Sequence, residues 1–146
     1  MANDLSVRTY DPSKIIVTWG PTIVTGFNEG TFLTIARNGQ AFEKSKGADG
    51  TIDRINRNAF DFTINLTIKQ TSITNDIFSA ALQADLLTNV SKLPFTVKDV
   101  NGLSLFFAPL AGIQKDPDAE YSDALSGREW IFDTGPGANF IGGNIL

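Results

Sequence analysis

The sequence predicts a mainly β protein, namely an antiparallel β-sandwich or a partly closed barrel with one α-helix. Apolar and polar residues alternate along Phe60–Lys69, which is the period of a half-buried strand. Several other short apolar runs are separated by glycine, proline and asparagine, as in turns between strands. Apolar residues recur at helical spacing over residues 75–87. We expect this helix to cover the apolar face of the sheet.

The composition indicates one globular domain that spans residues 1–146. Eleven phenylalanines and thirteen glycines favour strands and turns over helices. The formal charge of −4 argues against a protein that binds duplex DNA through a basic stripe. We expect no secretory leader and no membrane partner, because residues 1–10 lack a basic region followed by an apolar run and no apolar stretch is long enough for a membrane helix.

The chain contains no cysteine and no histidine. This excludes disulfides, thiol nucleophiles, histidine-based catalytic triads and ordinary zinc sites. No pair of carboxylates stands out as an acid/base couple, and Gly47–Gly50 lacks the lysine of a phosphate-binding loop and is interpreted as a β-turn. We therefore expect a protein that is not an enzyme and that has no cofactor.

The first strands are Ile15–Trp19 and Thr22–Thr25, with a Gly-Pro break between them. The next strand is Thr31–Arg37, in which Leu33 and Ile35 share one face. These three segments precede a stretch of different composition.

Residues 38–58 contain three X-Gly turn signals and seven charged residues, with few apolar residues. We interpret them as a hairpin arm that projects from the domain. One possibility is a mobile surface loop. The other is an arm that reaches a neighbouring subunit, since long excursions from compact domains are often functional.

The central strand carries two different faces. Its apolar face is formed by Phe60, Phe62, Ile64, Leu66 and Ile68. Its polar face is formed by Asp61, Thr63, Asn65, Thr67 and Lys69. Because four of these five polar side chains are short, the polar face is either an ordinary solvent-exposed surface or a smooth, wet wall.

The helix at residues 75–87 follows directly. Its predicted apolar face consists of Ile77, Phe78, Ala81, Leu82 and Leu86. We expect Thr74 or Asn75 to cap its first N–H groups, and Asp76 to interact favourably with the positive end of the helix dipole.

The C-terminal part contains a predicted hairpin, Leu93–Val100 and Leu103–Ala108, joined by Asn-Gly. Leu110–Lys115 is a possible further strand, and Arg128–Thr134 is the last predicted strand before a short, flexible end. Within it, Arg128 and Trp130 are either a cation–π pair on a strand edge or an interface anchor. The acidic residues 116–123 form either a solvated loop or a calcium site without EF-hand spacing.

Several motifs in a fixed order carry a resemblance to a known family. They are Gly47–Gly50, Ile64–Asp85, Pro94–Gly102, Leu105–Pro109, Gly127–Trp130 and Ile141–Asn144. Together they resemble the small tail-tube proteins of contractile-tailed (myovirus-type) bacteriophages, and the resemblance covers roughly residues 10–144. It implies the fold shared by phage tail tubes and by the Hcp protein of type VI secretion.

The resemblance implies a structural virion protein without an active site. Such proteins form hexameric rings, joined through their strands, that stack into a tube. The implied partners are further copies of the chain, the tail sheath protein, baseplate and tail-terminator proteins, and phage DNA that passes through the lumen without specific binding. The implied location is the virion tail, assembled in the bacterial cytoplasm.

The resemblance also implies roles for individual residues. The residues expected to face the lumen are Asp61, Thr63, Asn65, Thr67, Lys69 and Thr34. The residues expected in a ring-stacking arm are Phe42, Lys44, Lys46, Asp49, Ile52 and Arg54. Arg128 and Trp130 are the expected interface anchors, and the polar side of the helix would meet the sheath.

Two alternatives stay open at this point. The chain could form the tube of a phage-derived bacteriocin or of a secretion-type injection device. In a different class, it could be a monomeric β-sandwich that binds a cation or a glycan through residues 116–123.

Overall fold

The computed structural model describes residues 7–143, which form ten strands, one α-helix and a short 3₁₀ turn. The strands are β1 (Ile15–Trp19), β2 (Thr22–Ile23), β3 (Leu33–Arg37), β4 (Phe42–Lys46), β5 (Ile52–Asn56), β6 (Phe62–Lys69), β7 (Leu93–Asp99), β8 (Leu105–Lys115), β9 (Gly127–Thr134) and β10 (Ala138–Phe140). The helix is α1 (Thr74–Thr88) and the 3₁₀ turn is Pro12–Lys14. Both ends of the predicted domain, residues 1–6 and 144–146, lie outside the described residues, as does Asn144 of the last motif.

Eight of the strands form one antiparallel sheet in the order β2-β1-β7-β8-β9-β6-β3, with β10 paired to β8. From Phe132 to Phe140, β9 and β10 lie along β8 in one register, although Gly135–Gly137 separates them. The remaining strands, β4 and β5, form a separate two-stranded sheet. The mainly β, antiparallel fold class is therefore confirmed.

The large sheet does not close into a barrel, because β2 and β3 form its two ends. The segment that follows β2 nevertheless links these ends. The Lys69 N–H donates to the Gly26 carbonyl at 2.7 Å, and Phe27 pairs with Ile68. The sheet is thus folded over its own core without complete strand pairing around it.

The core lies between the inner face of the sheet and α1. The predicted alternation in β6 is confirmed, since Phe62, Ile64, Leu66 and Ile68 are all buried. Phe60 is 51% exposed because it precedes the strand.

The helix contributes one large side chain to this core. The Phe78 ring packs edge-on against the rings of Trp19, Trp130 and Phe132, with centroids 5.2–5.7 Å apart. Edge-to-face packing of this kind is favourable beyond the area that it buries. The expectation that the helix covers the apolar face of the sheet is therefore confirmed.

The buried stripe of the helix is narrower than predicted. Phe78 is buried and Ala81 and Leu82 are half-buried, but Ile77 is 42% and Leu86 67% exposed. The reason is that the Phe78 ring fills the space between the helix and three aromatic rings, so a single row of residues makes contact. In residues 7–143, no helix has the length and apolar character needed to cross a membrane.

The start of the helix also differs from the prediction. The N-cap is Ile73, which makes no side-chain cap, so neither Thr74 nor Asn75 caps the helix. Their side chains instead bind the core and the preceding turn: Thr74 Oγ1 accepts a hydrogen bond from the Thr25 N–H at 3.3 Å, and Asn75 donates to the Lys69 carbonyl at 2.9 Å. Asp76 lies in the first turn, as expected.

The predicted β7–β8 hairpin is present, but its second strand is longer than expected. Leu105–Lys115 is one strand of eleven residues, not two strands. The register against β7 shifts beside Pro109, which has no N–H to donate. The predicted flexible end, residues 140–143, begins inside a strand, since Phe140 of β10 pairs with Leu105 of β8.

Candidate assembly surfaces

A polar wall covers the outer face of β6 and of its neighbour β3. Thr63, Asn65 and Thr67 of β6 are half-buried, and Lys69 is exposed. Thr34 of β3 lies directly opposite Asn65. The six residues predicted to face a lumen, with Asp61 at the entry to β6, are thus side by side on one surface.

The wall continues onto β9, which sequence reasoning did not include. Asp133 lies opposite Thr63, Ile131 opposite Asn65 and Glu129 opposite Thr67. The alternation in residues 128–134 could have predicted this, because Trp130, Phe132 and Thr134 face inward and the residues between them face the wall. We define the wall by the residues Thr34, Ala36, Asp61, Thr63, Asn65, Thr67, Lys69, Glu129, Ile131 and Asp133. Its three carboxylates and one ammonium give it a net charge of −2.

Asn38 joins the wall to the start of the arm. Its side-chain amide donates to Asp61 Oδ2 at 3.0 Å, and its amide oxygen accepts a hydrogen bond from Thr63 Oγ1 at 2.7 Å. The Asn38 backbone N–H also donates to the Asp61 carbonyl. These bonds hold the base of the arm against the end of β6.

One backbone edge of the wall lacks a partner strand within residues 7–143. β3 pairs only with β6 there. The Thr67 N–H donates to the Phe32 carbonyl and the Asn38 N–H to the Asp61 carbonyl. The backbone groups of even-numbered residues in and around β3 therefore point toward β6. The N–H groups of Leu33, Ile35 and Arg37 consequently point away from the sheet. An open edge of this kind is a template for another strand.

The arm consists of β4, β5 and the turn between them, and all of its residues are exposed. Five of the six predicted arm residues lie on one face, because Lys44 pairs with Arg54 and Lys46 with Ile52. We define the basic arm face by Phe42, Lys44, Lys46, Ile52, Arg54 and Asn56. The Arg54 guanidinium lies 4.0 Å from the centroid of the Phe42 ring.

The sixth predicted arm residue, Asp49, lies in the turn. Its carboxylate accepts hydrogen bonds from the Thr51 hydroxyl at 2.7 Å and from the Thr51 N–H at 3.1 Å. These bonds lower the pKa of Asp49, because they favour the ionised form. Gly50 follows with a φ of +91°, and its N–H donates to the Gly47 carbonyl, so the β-turn interpretation of Gly47–Gly50 is confirmed.

The other arm face contains an ion pair. Arg57 forms an ion pair with Glu43, and its Nε donates to the Glu43 carboxylate at 2.6 Å. Asp53, which lies opposite Ser45, adds a third charge, so this face has a net charge of −1 whereas the basic arm face carries +3.

The two predicted interface anchors lie in different environments. Trp130 is only 2% exposed, and its indole N–H donates to Asn75 Oδ1 at 2.9 Å within the chain. This burial argues against Trp130 as a surface anchor. Arg128 is half-buried, and its guanidinium lies 5.4 Å from the centroid of the Tyr121 ring, so its cation–π partner is Tyr121 and not Trp130.

The acidic residues 116–123 form a loop before β9. Lys115 Nζ lies 3.3 Å from Asp118 Oδ1. Across residues 7–143, no group of three or more carboxylates is arranged to hold a metal ion. The loop thus offers no preformed cage of the kind that calcium requires.

Comparisons with known proteins relate this fold to phage tails. No family model matches the chain. It is 24% identical over 131 residues to "Structural protein ORF10" of Pseudomonas phage KPP10, and this match covers 84% of the chain and 76% of that protein.

Solved structures with the same fold come from contractile injection systems. The tube-terminating cap of the anti-feeding prophage has a TM-score of 0.65 at 15% identity, over 94% of this chain and 95% of that one. The sheath/tube terminator of the extracellular injection system PVC has a TM-score of 0.63 at 14% identity, over 94% and 100%. The PVC sheath–tube complex gives a TM-score of 0.63 at 14% identity, over 90% and 91%.

These relatives are structural proteins, and they support a structural, non-enzymatic role and a location in the virion tail. The resemblance found in the sequence is thereby confirmed. The chain is similar to a phage structural protein, and it has the fold of tube and terminator proteins of contractile injection systems.

Proposed function

We propose that this chain assembles into hexameric rings that stack to form the inner tube of a contractile phage tail. The observation that carries the proposal is the open backbone edge of β3 beside the polar wall. An open edge favours pairing with a neighbouring copy, and a ring of copies completes the pairing of every edge.

The polar wall is the surface that suits a lumen. Its side chains are mostly short, and its net charge of −2 per chain repels the phosphate backbone of DNA. Lys69 and Ile131 are exceptions on this surface, but neither forms part of a basic cluster. DNA would therefore pass along the wall without adhering to it.

The outward side of α1 suits the sheath. Ile73, Ile77 and Leu87 are exposed there, so this side is more apolar than sequence analysis predicted. An exposed apolar row with surrounding polar residues is typical of a protein interface. Baseplate and terminator proteins would contact the two ends of the tube.

A second candidate is the tube terminator, because two of the similar structures belong to a tube-terminating cap and a sheath/tube terminator. A tube protein adds ring upon ring without limit. A terminator forms one ring on the end of a tube. The two candidates consequently differ in whether the purified chain forms long tubes or isolated rings.

Negative-stain electron microscopy and sedimentation of the purified protein test both candidates. We expect wild-type protein to form hollow tubes, and Ile35→Pro to stay monomeric. Ile35 directs its N–H to the open edge, so proline removes that donor without breaking the β3–β6 bonds.

The matched control is Ile35→Ala, which removes the same half-buried side chain but keeps the N–H. We expect this variant to form rings. If Ile35→Pro forms rings as well as Ile35→Ala does, β3 is not the edge that joins the copies. If the wild-type protein forms rings that never stack, the terminator replaces the tube as the function.

A further inference from the structure

We propose that the basic arm face docks into an acidic groove at the opposite end of a second copy, so that charge complementarity orients the stacking of the rings. This inference rests on the proposed tube function and adds the surface that receives the arm.

The basic arm face needs a partner that carries negative charge. Lys44 lies directly opposite Arg54 on the neighbouring strand, and like charges in this position are destabilising. Lys46 adds a third cation, and within residues 7–143 none of the three has a carboxylate partner. Phe42 and Ile52 are 48% and 58% exposed on the same face. A complementary surface would therefore combine carboxylates with apolar groups.

Such a surface lies between the acidic loop and the start of α1. The groove there has a volume of about 360 Å³, and its lining includes Asp76, Asp116, Pro117, Tyr121 and Arg128. Asp118, Glu120 and Asp123 belong to the same loop.

The charges around this groove are predominantly negative. Two carboxylates, Asp76 and Asp116, line the groove, and three more follow in the same loop. The two cations of this region both have contacts within the chain: Lys115 with Asp118, and Arg128 with the Tyr121 ring. Tyr121, which lines the groove, is 79% exposed and supplies the apolar part of the surface together with Pro117. The groove therefore matches the basic arm face in both charge and apolar character.

The basic arm face and the groove lie at opposite ends of the folded domain. The arm leaves the sheet between Arg37 and Phe62, at the start of β6. The acidic loop enters β9 at Gly127, which pairs with Lys69 at the other end of β6. Eight residues of β6 separate the ends by about 23 Å. An arm and a groove at opposite ends give a head-to-tail contact, which is the kind of contact that grows without closing.

Two charge-reversed variants test the contact. Lys44→Glu/Arg54→Glu reverses the arm, and Asp116→Lys/Glu120→Lys reverses the groove. We expect each variant alone to form rings but to lose tube growth, measured as the pelleted fraction, by more than about tenfold, because like charges then face each other. We expect an equal mixture of the two variants to form tubes again, since each reversed surface then meets its complement.

The control for the arm variant is Lys14→Glu/Lys92→Glu, which lowers the net charge by the same amount at two exposed lysines outside both surfaces. We expect it to form tubes like the wild type. Circular dichroism of each variant checks that the fold is intact.

The outcomes separate the inference from the proposed function. Normal tube growth by either reversed variant, or a mixture that does not recover, overturns the arm–groove contact while the tube function stands. If the wild-type protein forms no tubes, both the proposed tube function and this inference are wrong.

Discussion

At the scale of single residues, Asn75 connects the helix to the sheet through both ends of its amide. Its Oδ1 accepts a hydrogen bond from the Trp130 indole at 2.9 Å, and its Nδ2 donates to the carbonyls of Lys69 and Ser72 at 2.9 and 3.1 Å. Sequence analysis expected a helix cap at this position. The side chain instead satisfies the indole N–H of Trp130, whose side chain is buried in the core.

Asn75→Ala is expected to destabilise the folded chain by about 1–3 kcal/mol, because it leaves the Trp130 N–H without its acceptor. Urea unfolding of a non-assembling background such as Ile35→Pro measures this free energy. In a double-mutant cycle with Trp130→Phe, we expect a coupling energy of about 0.5–3 kcal/mol.

The matched control is Gln83→Ala, an amide truncation at an exposed position of the same helix. We expect it to change stability by less than about 0.5 kcal/mol. Additive effects of Asn75→Ala and Trp130→Phe would show that this hydrogen bond contributes nothing measurable.

At the scale of elements, the arm differs from every other strand pair. An isolated two-stranded hairpin is marginally stable in water. This hairpin contributes no residue to the core, and its two strands are exposed throughout. Its connection to the domain depends on local bonds at its base, such as those of Asn38.

Replacing residues 40–57 by a short Gly-Ser linker is therefore expected to leave the melting temperature within about 2 °C of the parent protein, because no core contact is removed. Ring formation should persist and tube growth should stop. Differential scanning calorimetry measures the first result and electron microscopy the second.

The control replaces only the turn residues 47–50 by Gly-Gly-Ser-Gly, which keeps both arm strands. We expect this protein to form tubes. Normal tubes from the protein without the arm would contradict a stacking role for residues 40–57.

The elements that sequence analysis predicted well are those whose signal is local. Alternation identified β6 and the inward face of Phe62–Ile68, and turn residues located the arm and the β7–β8 hairpin. β10 and the length of β8 could not be predicted in this way. Both depend on pairing between residues far apart in sequence, such as Asn139 with Phe106, and no local pattern encodes that register.

At the scale of the whole molecule, the candidate surfaces were predicted only in part for the same reason. Sequence analysis predicted six of the wall residues from one strand and its expected neighbour. Glu129 and Asp133 belong to the wall only because of the register of β9 against β6. The arm and the acidic loop lie at opposite ends of the domain because of the sheet topology, which residue composition does not predict.

The proposed position of the wall in the lumen leads to a prediction about DNA. Thr63 lies in the wall between Ala36 and Asp133. An arginine at this position would change the wall from a net charge of −2 to −1 in every chain and would give each ring of six copies a belt of guanidinium groups. Arginine at a DNA contact releases counterions, so binding of DNA to such a belt would depend steeply on salt.

We therefore expect Thr63→Arg tubes, assembled in the presence of a fluorescent duplex oligonucleotide, to retain it after pelleting, whereas wild-type tubes release it. Raising the salt from 50 to 200 mM should release the oligonucleotide from the variant, because the contact is electrostatic. Gln83→Arg, on the exposed side of α1, makes the same change in charge outside the lumen and should retain none after nuclease treatment. Nuclease separates the two sites, since an oligonucleotide enclosed by the tube is protected and one on the outer surface is not. If Thr63→Arg tubes retain the oligonucleotide but lose it on nuclease treatment, the wall lies on the outside of the tube. A different surface must then line the channel.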